Sequence, residues 1–128
     1  MNETDSIINL VVHGATPSKK NSNKINCMGK YPRTYKTKSF REWYAMAIEE
    51  LKLTCNSVKP LETTQCINLT FYTVDKRKRD LTNIAESIMD LLVDGEVIED
   101  DNVYIISRMT LNFGGLDRED PRCEIEII

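Results

Sequence analysis

The strongest chemical content of this chain lies in two acidic stretches. One runs through Asp80, Asn83, Glu86 and Asp90; the other is the pair Asp100 and Asp101. They place carboxylates at the start of a helix, along its polar face and just ahead of the next strand. Converging hard oxygens of this kind are what Mg2+ requires. A metal held by them orients water and stabilises the charge on a phosphate undergoing in-line attack. A nuclease also needs cations beside its acids to hold the DNA backbone, and Lys76, Arg77, Lys78 and Arg79 stand directly before Asp80. Taken singly, Asp80 is a simple helix N-cap and Asp100-Asp101 a turn; only together do they suggest a site.

Charge is segregated along the chain. From Ala15 to Arg41 there are eight basic residues, including Lys19, Lys20, Arg33 and Lys36, and no acidic ones, although the net charge of the whole is -3. The remainder is therefore strongly acidic. A basic block suits a polyanion and an acidic remainder suits a cation site; the alternative is a solvated loop beside an acidic surface. The basic residues expected to contact phosphates are Lys19, Lys20, Arg33 and Lys36, with Lys76 to Arg79.

The 128 residues amount to one domain, long enough to bury a core without disulfides or metal staples. At 41% apolar and 29% charged residues, the composition excludes collagen-like, mucin-like and fully disordered chains. No apolar run approaches the ~18 residues of a membrane-spanning helix. The first residues are acidic where an export signal is basic, so a bacterial, viral or cytosolic location is expected. Cys27, Cys55, Cys66 and Cys123 form no C-x-x-C pair and His13 is the sole histidine. Neither structural zinc nor a Ser-His-Asp triad fits that set. The thiols read as reduced and His13 as structural.

The elements that must position these groups follow from periodicity. Ile7–Val12 is a β-branched apolar strand, broken by Gly14 and Pro17. Pro17–Lys38 reads as a long basic loop. Phe40–Leu53 reads as a helix, with Ser39 as N-cap and Glu42 completing a capping box. Its apolar stripe is Phe40, Trp43, Tyr44, Ala47, Ile48 and Leu51, which gives Trp43 to packing. Gln65–Val74 alternates as a half-buried strand. Leu81–Val93 is a second helix capped by Asp80 and ended by Asp94-Gly95. Val103–Phe113 and Cys123–Ile128 read as strands, with Gly114–Pro121 as a turn between them. The expected fold is α+β: a single small domain over residues 1–128, a mixed β-sheet with two main helices packed on one face.

Taken together, these residues resemble the RusA-like Holliday junction resolvases. The family pattern is an acidic residue, a hydrophobic, a second Asp, Asn, a Lys three residues on, a helix ending in Asp-x-Leu, and an Asp-Asp pair about ten residues later. Asp80, Asn83, Asp90, Leu92, Asp100 and Asp101 match it. Gly14 to Asn21 resembles the family's Gly-x-x-Pro-Ser-Lys-x-Asn segment, which adds Asn21 to the DNA contacts. Tyr35-Lys36, followed by Phe40 and Trp43, resembles its basic-aromatic lead into the first helix. The likeness spans roughly Ile7 to Phe113.

The resemblance implies a homodimer that binds four-way DNA junctions by shape and charge. It implies Mg2+ or Mn2+ as cofactor, held by Asp80, Asp100 and Asp101, and symmetric cleavage of two opposed strands. Asn83 and Asp90 would support the site. It also implies a cytoplasmic setting in a bacterial or phage-infected host cell. A non-catalytic, structure-specific DNA-binding protein of the same fold is the alternative. Two positions depart from the pattern: the second Asp is Thr82 and the lysine is Glu86. On an α-helix Glu86 lies about 40° from both Thr82 and Asp90, so it is expected to reach the same metal as Asp80 or Asp101, with Lys78 or Arg79 taking the cationic role. A solvent-facing glutamate is the competing reading.

Overall fold

Period-two burial builds the central sheet. The computed structural model describes residues 7–20, 23–26, 33–55 and 59–128, without the side chains of positions 23, 26, 33 and 34. Its elements are β1 (Ile8–His13), β2 (Asn23–Asn26), β3 (Arg33–Lys36), α1 (Lys38–Thr54), β4 (Ile67–Thr73), α2 (Leu81–Asp94), β5 (Met109–Leu116) and β6 (Arg122–Ile127). The main sheet has the order β1-β6-β4-β5. β6 runs antiparallel to both β1 and β4, and β5 runs parallel to β4. That parallel step needs a crossover, and α2 provides it. The sheet is mixed, as expected.

Alternate residues of β4 (Ile67, Leu69, Phe71) and β6 (Cys123, Ile125, Ile127) are buried together with Leu10 and Val12 of β1. α2 closes this face with Ile84, Ala85, Ile88, Met89, Leu91 and Leu92, and α1 adds Ala47 and Leu51. Trp43 and Tyr44 pack against the same core, and Phe40, Trp43 and Tyr44 form one aromatic cluster. The opposite sheet face is polar and hydrogen-bonded. Asn68 Nδ2 donates to Glu126 Oε1 at 2.7 Å, Thr110 Oγ1 donates to Asn68 Oδ1, and the Arg122 guanidinium lies 4.0 Å over the Tyr72 ring. One helix-covered face and one wet face are what the alternation in β4 predicted. Among the described residues, no helix is long and apolar enough to cross a membrane.

Apart from shifts of one or two residues at the other element ends, the boundaries differ in four places. The expected loop Pro17–Lys38 contains an antiparallel hairpin, β2–β3, with Asn23 opposite Lys36 and Asn26 opposite Arg33. Its strands are too short and too polar to show an apolar alternation. α1 starts at Lys38, capped by Thr37 rather than Ser39: Thr37 is extended and its Oγ1 accepts from the Phe40 N–H at 3.3 Å. β3 ends at Lys36, so the first residue after it takes the cap and Ser39 is already helical. The expected strand Val103–Phe113 begins only at Met109. The Asn102 carbonyl accepts from the Ile105 and Ile106 N–H groups and its side chain from the Tyr104 N–H. This local turn competes with extension and leaves Val103 and Tyr104 exposed. At its other end β5 runs on through Gly114 and Gly115 to Leu116. A Cβ on Gly114 would lie 2.6 Å from the Tyr72 ring, and Gly115 has φ +124, so both glycines belong to the strand's irregular pairing and not to a turn.

His13 closes β1 structurally: its N–H donates to Glu50 Oε1 at 2.9 Å and its ring bonds Glu50 Oε2. Cys55, Cys66 and Cys123 are free thiols, and burial pushes the Cys123 thiol up. Cys27 lies outside the described residues.

Candidate active site

The loop between β4 and α2 is shaped by its own side chains. Asp75 Oδ1 accepts from the Arg77 N–H at 3.0 Å and pairs with Arg79 Nη2 at 2.8 Å. Arg79 Nη1 also donates to the carbonyls of Asp75 and Arg77. Arg79 is therefore mostly buried and spends its charge internally, and the Arg77 N–H and the Arg79 side chain hold the Asp75 carboxyl below its ordinary range. Lys76, Arg77 and Lys78 are exposed. No side-chain ion pair ties any of the three among the described residues.

Asp80 is the N-cap of α2, as its position predicted. Its Oδ1 accepts from the Thr82 N–H at 3.1 Å and from the Thr82 hydroxyl at 2.8 Å, and Asn83 Nδ2 approaches Oδ2 at 3.4 Å. The Thr82 bonds, helped by the Lys20 charge, hold the Asp80 carboxyl below its usual value. Asp80 is thus a fixed anion at neutral pH, suited to ligand or electrostatic work and not to general-acid work. Thr82, which stands where the family pattern has a carboxylate, orients Asp80. Asp80 lies in a groove with Thr16, Pro17, Ser18 and the Arg77–Arg79 loop.

One helical turn on, a second groove of about 300 Å³ is lined by Lys19, Thr82, Glu86, Asp90 and Asp101, with Met109 and Leu111 of β5 as its apolar wall. Thr82, Glu86 and Asp90 share this side of α2, as a spacing of four residues requires. Lys19 Nζ pairs with Asp90 Oδ2 at 2.8 Å. Asp90 raises the Lys19 pKa first through that hydrogen bond, and the charges of Asp90, Glu86 and Asp101 add to it. Asp100 is turned into its own loop: its Oδ1 accepts from the Asp101 N–H at 2.8 Å and its Oδ2 from Asn102 Nδ2 at 3.0 Å. These bonds hold its carboxyl low.

The structure therefore brings Glu86, Asp90 and Asp101 to one groove and Asp80 to its neighbour, and Asp100 lines neither. Among the described residues, no three His, Cys, Asp or Glu side chains form a group that could hold a metal ion. The donors are hard oxygens of the right type for Mg2+, but the described arrangement does not gather three of them.

The expected DNA contacts divide. Lys76, Arg77 and Lys78 are outward cations, and Lys20 lies near Asp80. Lys19 is taken by Asp90, and Lys36 Nζ donates to the Lys19 carbonyl at 2.9 Å while lying 5.0 Å from the centre of the Phe40 ring. Asn21 and the Arg33 side chain lie outside the described residues. Sequence reading missed how the Pro17–Lys20 segment is fastened. Buried Ser87 donates to the Pro17 carbonyl at 2.7 Å, Lys36 holds the Lys19 carbonyl and Asp90 holds the Lys19 head. No periodicity links positions 17 to 20 with α2, so only the fold reveals it. Sequence reading also missed the Asp75–Arg79 pair, since it expects Arg79 on phosphate; the pair's signal is the i, i+4 spacing of opposite charges.

The family model described as Endodeoxyribonuclease RusA matches residues 15–128, which takes in both grooves and the basic loop. No curated protein sequence matches the chain.

Proposed function

Because this chain belongs to the RusA endodeoxyribonuclease family, we propose that it resolves four-way DNA junctions by hydrolysing phosphodiesters in two opposed strands. The observation that carries this reading is the adjacency of Asp80, a fixed anion, to a basic loop whose Lys76, Arg77 and Lys78 stand free for phosphates. In it, Lys76, Arg77 and Lys78 hold the DNA backbone. Arg79 keeps the loop in shape through Asp75. Thr82 and Asn83 orient Asp80, and Asp101 and Glu86 present charge from the adjoining groove. The active form in this reading is a homodimer, whose two-fold symmetry suits two symmetric incisions, working in the cytoplasm of a bacterial or phage-infected cell.

Mg2+ or Mn2+ is the cofactor the reading carries, supplying Lewis-acid stabilisation at the phosphate and an activated water. Mg2+ usually keeps several waters and binds through one or two carboxylates plus substrate phosphates. That habit suits a site whose carboxylates are spread over two grooves, with Asp90 already paired to Lys19, and do not close into a three-ligand cluster.

The test is incubation of the purified chain with a synthetic four-way junction and with a linear duplex, in Mg2+, in Mn2+ and in chelator. The expected result is paired incisions in opposed strands of the junction alone, in either metal and not in chelator. A second reading is favoured by the dispersal of the carboxylates: a structure-specific DNA-binding protein without catalysis. Tight junction binding with no incision in either metal would establish that reading instead.

A further inference from the structure

α2 does not cover the whole helix-side face of β5. Met109, Leu111 and Phe113 follow their β4 partners Ile67, Leu69 and Phe71 onto that face. Leu111 packs on the core, whereas Phe113 is 63% exposed at the free edge of the sheet. Beside it opens a cavity of about 570 Å³, separate from the acidic groove and walled off from Asp80 by the basic loop. Its floor is apolar: Leu81, Ile84, Phe113 and Leu116. Its rim is charged: Lys76, Arg77 and Lys78 stand there with Thr73 and with Asp75, whose carboxylate is answered by Arg79.

An exposed aromatic face and aliphatic floor under three cations is an unusual combination. A purely apolar occupant would leave the cations unanswered, and a simple anion would leave the floor wet. A nucleotide satisfies both, with a flat π-face for the aromatic and a phosphate on each side for the cations. We propose that this cavity receives one unstacked nucleobase of bound DNA, with Phe113 as its stacking platform and Lys76, Arg77 and Lys78 on the flanking phosphates. A base paired inside a duplex offers no free face, and extrusion is cheapest where pairing is already interrupted. A branch point is such a place. The proposal rests on the junction reading and adds to it the part of the DNA that is gripped. Arg77, Lys78 and Arg79 line both cavities, so one basic loop serves a strand at Asp80 and a base at Phe113.

The experiment compares the parent chain with Phe113→Ala and Phe113→Trp, using oligothymidylate and a linear duplex as probes, in chelator at fixed salt. Binding is read by fluorescence anisotropy. Phe113→Ala weakens oligothymidylate binding by about 5- to 150-fold, the range for one lost base–aromatic stack, and leaves duplex binding unchanged. Phe113→Trp binds as the parent does, and its added emission is quenched by oligothymidylate. Phe113 is exposed, so all three chains keep the parent's unfolding midpoint. Equal oligothymidylate affinity of Phe113→Ala and parent overturns the proposal. So does a dimer, seen by sedimentation velocity, that Phe113→Ala converts to monomer, because a second copy then fills the cavity. Cleavage of junctions by the parent without any Phe113 effect removes the base pocket and keeps the nuclease. Phe113-dependent oligothymidylate binding without cleavage does the reverse.

Discussion

Lys19, from the segment after β1, places its ammonium 2.8 Å from Asp90 Oδ2 on α2. The pair joins two parts of the chain that the sequence holds apart, and it neutralises one flank of the groove that also contains Glu86 and Asp101. Both partners are more than a third exposed, so the pair stabilises the fold by only about 0–1 kcal/mol. Its effect is on charge: a lysine spent on Asp90 is not spent on DNA.

The salt dependence of junction binding separates the two kinds of cation. Each phosphate contact contributes about 0.9 to the slope of log affinity against log salt. Neutralising Lys76 and Lys78 together therefore flattens the slope by nearly two units. Lys19→Met changes it by less than one contact's worth. Titrations between low and physiological salt measure both; an unchanged slope in the double variant makes the Lys76–Lys78 run a solvated turn.

Asp80 has two roles that substitution separates. Asn is as good an N-cap as Asp, whereas Ala costs about 0.5–2 kcal/mol at such a position. Asp80→Asn therefore loses cleavage but keeps the cap, giving up only what the depressed carboxyl adds, whereas Asp80→Ala loses cleavage and the cap. Denaturant unfolding beside a junction-cleavage assay reads the two. Full activity in Asp80→Asn means that the carboxylate serves only as a cap.

Asp101→Asn abolishes cleavage and leaves junction affinity within a few-fold. Its carboxylate faces the acidic groove with Glu86, away from the outward cations. Turnover at the parent rate in Mg2+ removes Asp101 from the machinery.

Glu86 faces the same groove as Asp101, while Asp80 lies in the neighbouring one. The cation observed beside it is Lys19, not Lys78 or Arg79. If Glu86 serves the reaction, Glu86→Gln slows cleavage by orders of magnitude and higher metal concentration relieves part of the loss. Thr82→Asp with Glu86→Lys retains activity. Glu86→Gln cutting as fast as the parent at limiting Mg2+ makes Glu86 a solvent-facing residue.

Stability falls at acid pH through identified groups. Hydrogen bonds hold the Asp75, Asp80, Asp100 and Asp117 carboxyls below their ordinary values, by the Arg77 N–H, the Thr82 hydroxyl, the Asp101 N–H and the Arg122 guanidinium respectively. A carboxyl depressed in the folded state stabilises it fully above the unfolded value of about 3.9 and ceases to as pH falls through the folded value. The unfolding midpoint therefore holds steady near neutrality and drops below about pH 4. Arg122→Met, which removes the partner of Asp117, lowers the midpoint at neutral pH and makes the acid drop shallower.

Local rules carried much of this protein. The alternation of Ile67, Leu69 and Phe71 against Asn68, Thr70 and Tyr72 determined which face of β4 is buried, because successive side chains of a strand point to opposite sides. The stripe of α2, its cap at Asp80 and the common side of Thr82, Glu86 and Asp90 followed from helical geometry within a few residues. The identity of the family was legible in the same stretch. What the tertiary structure alone decided involves partners distant in sequence or a contest between local and long-range bonds. Lys19 and Lys36 are cations on paper, but Asp90 and the Lys19 carbonyl claim them. Asp100 and Asp101 are adjacent, yet the turn around Asn102 ties Asp100 into its own loop and leaves Asp101 to face α2. The Asn102 turn also delays β5 to Met109, and the crossover then sets β5 at the edge of the sheet, where α2 is too narrow to cover Phe113. No local pattern encodes that last step, because exposure at a sheet edge depends on which neighbour is missing.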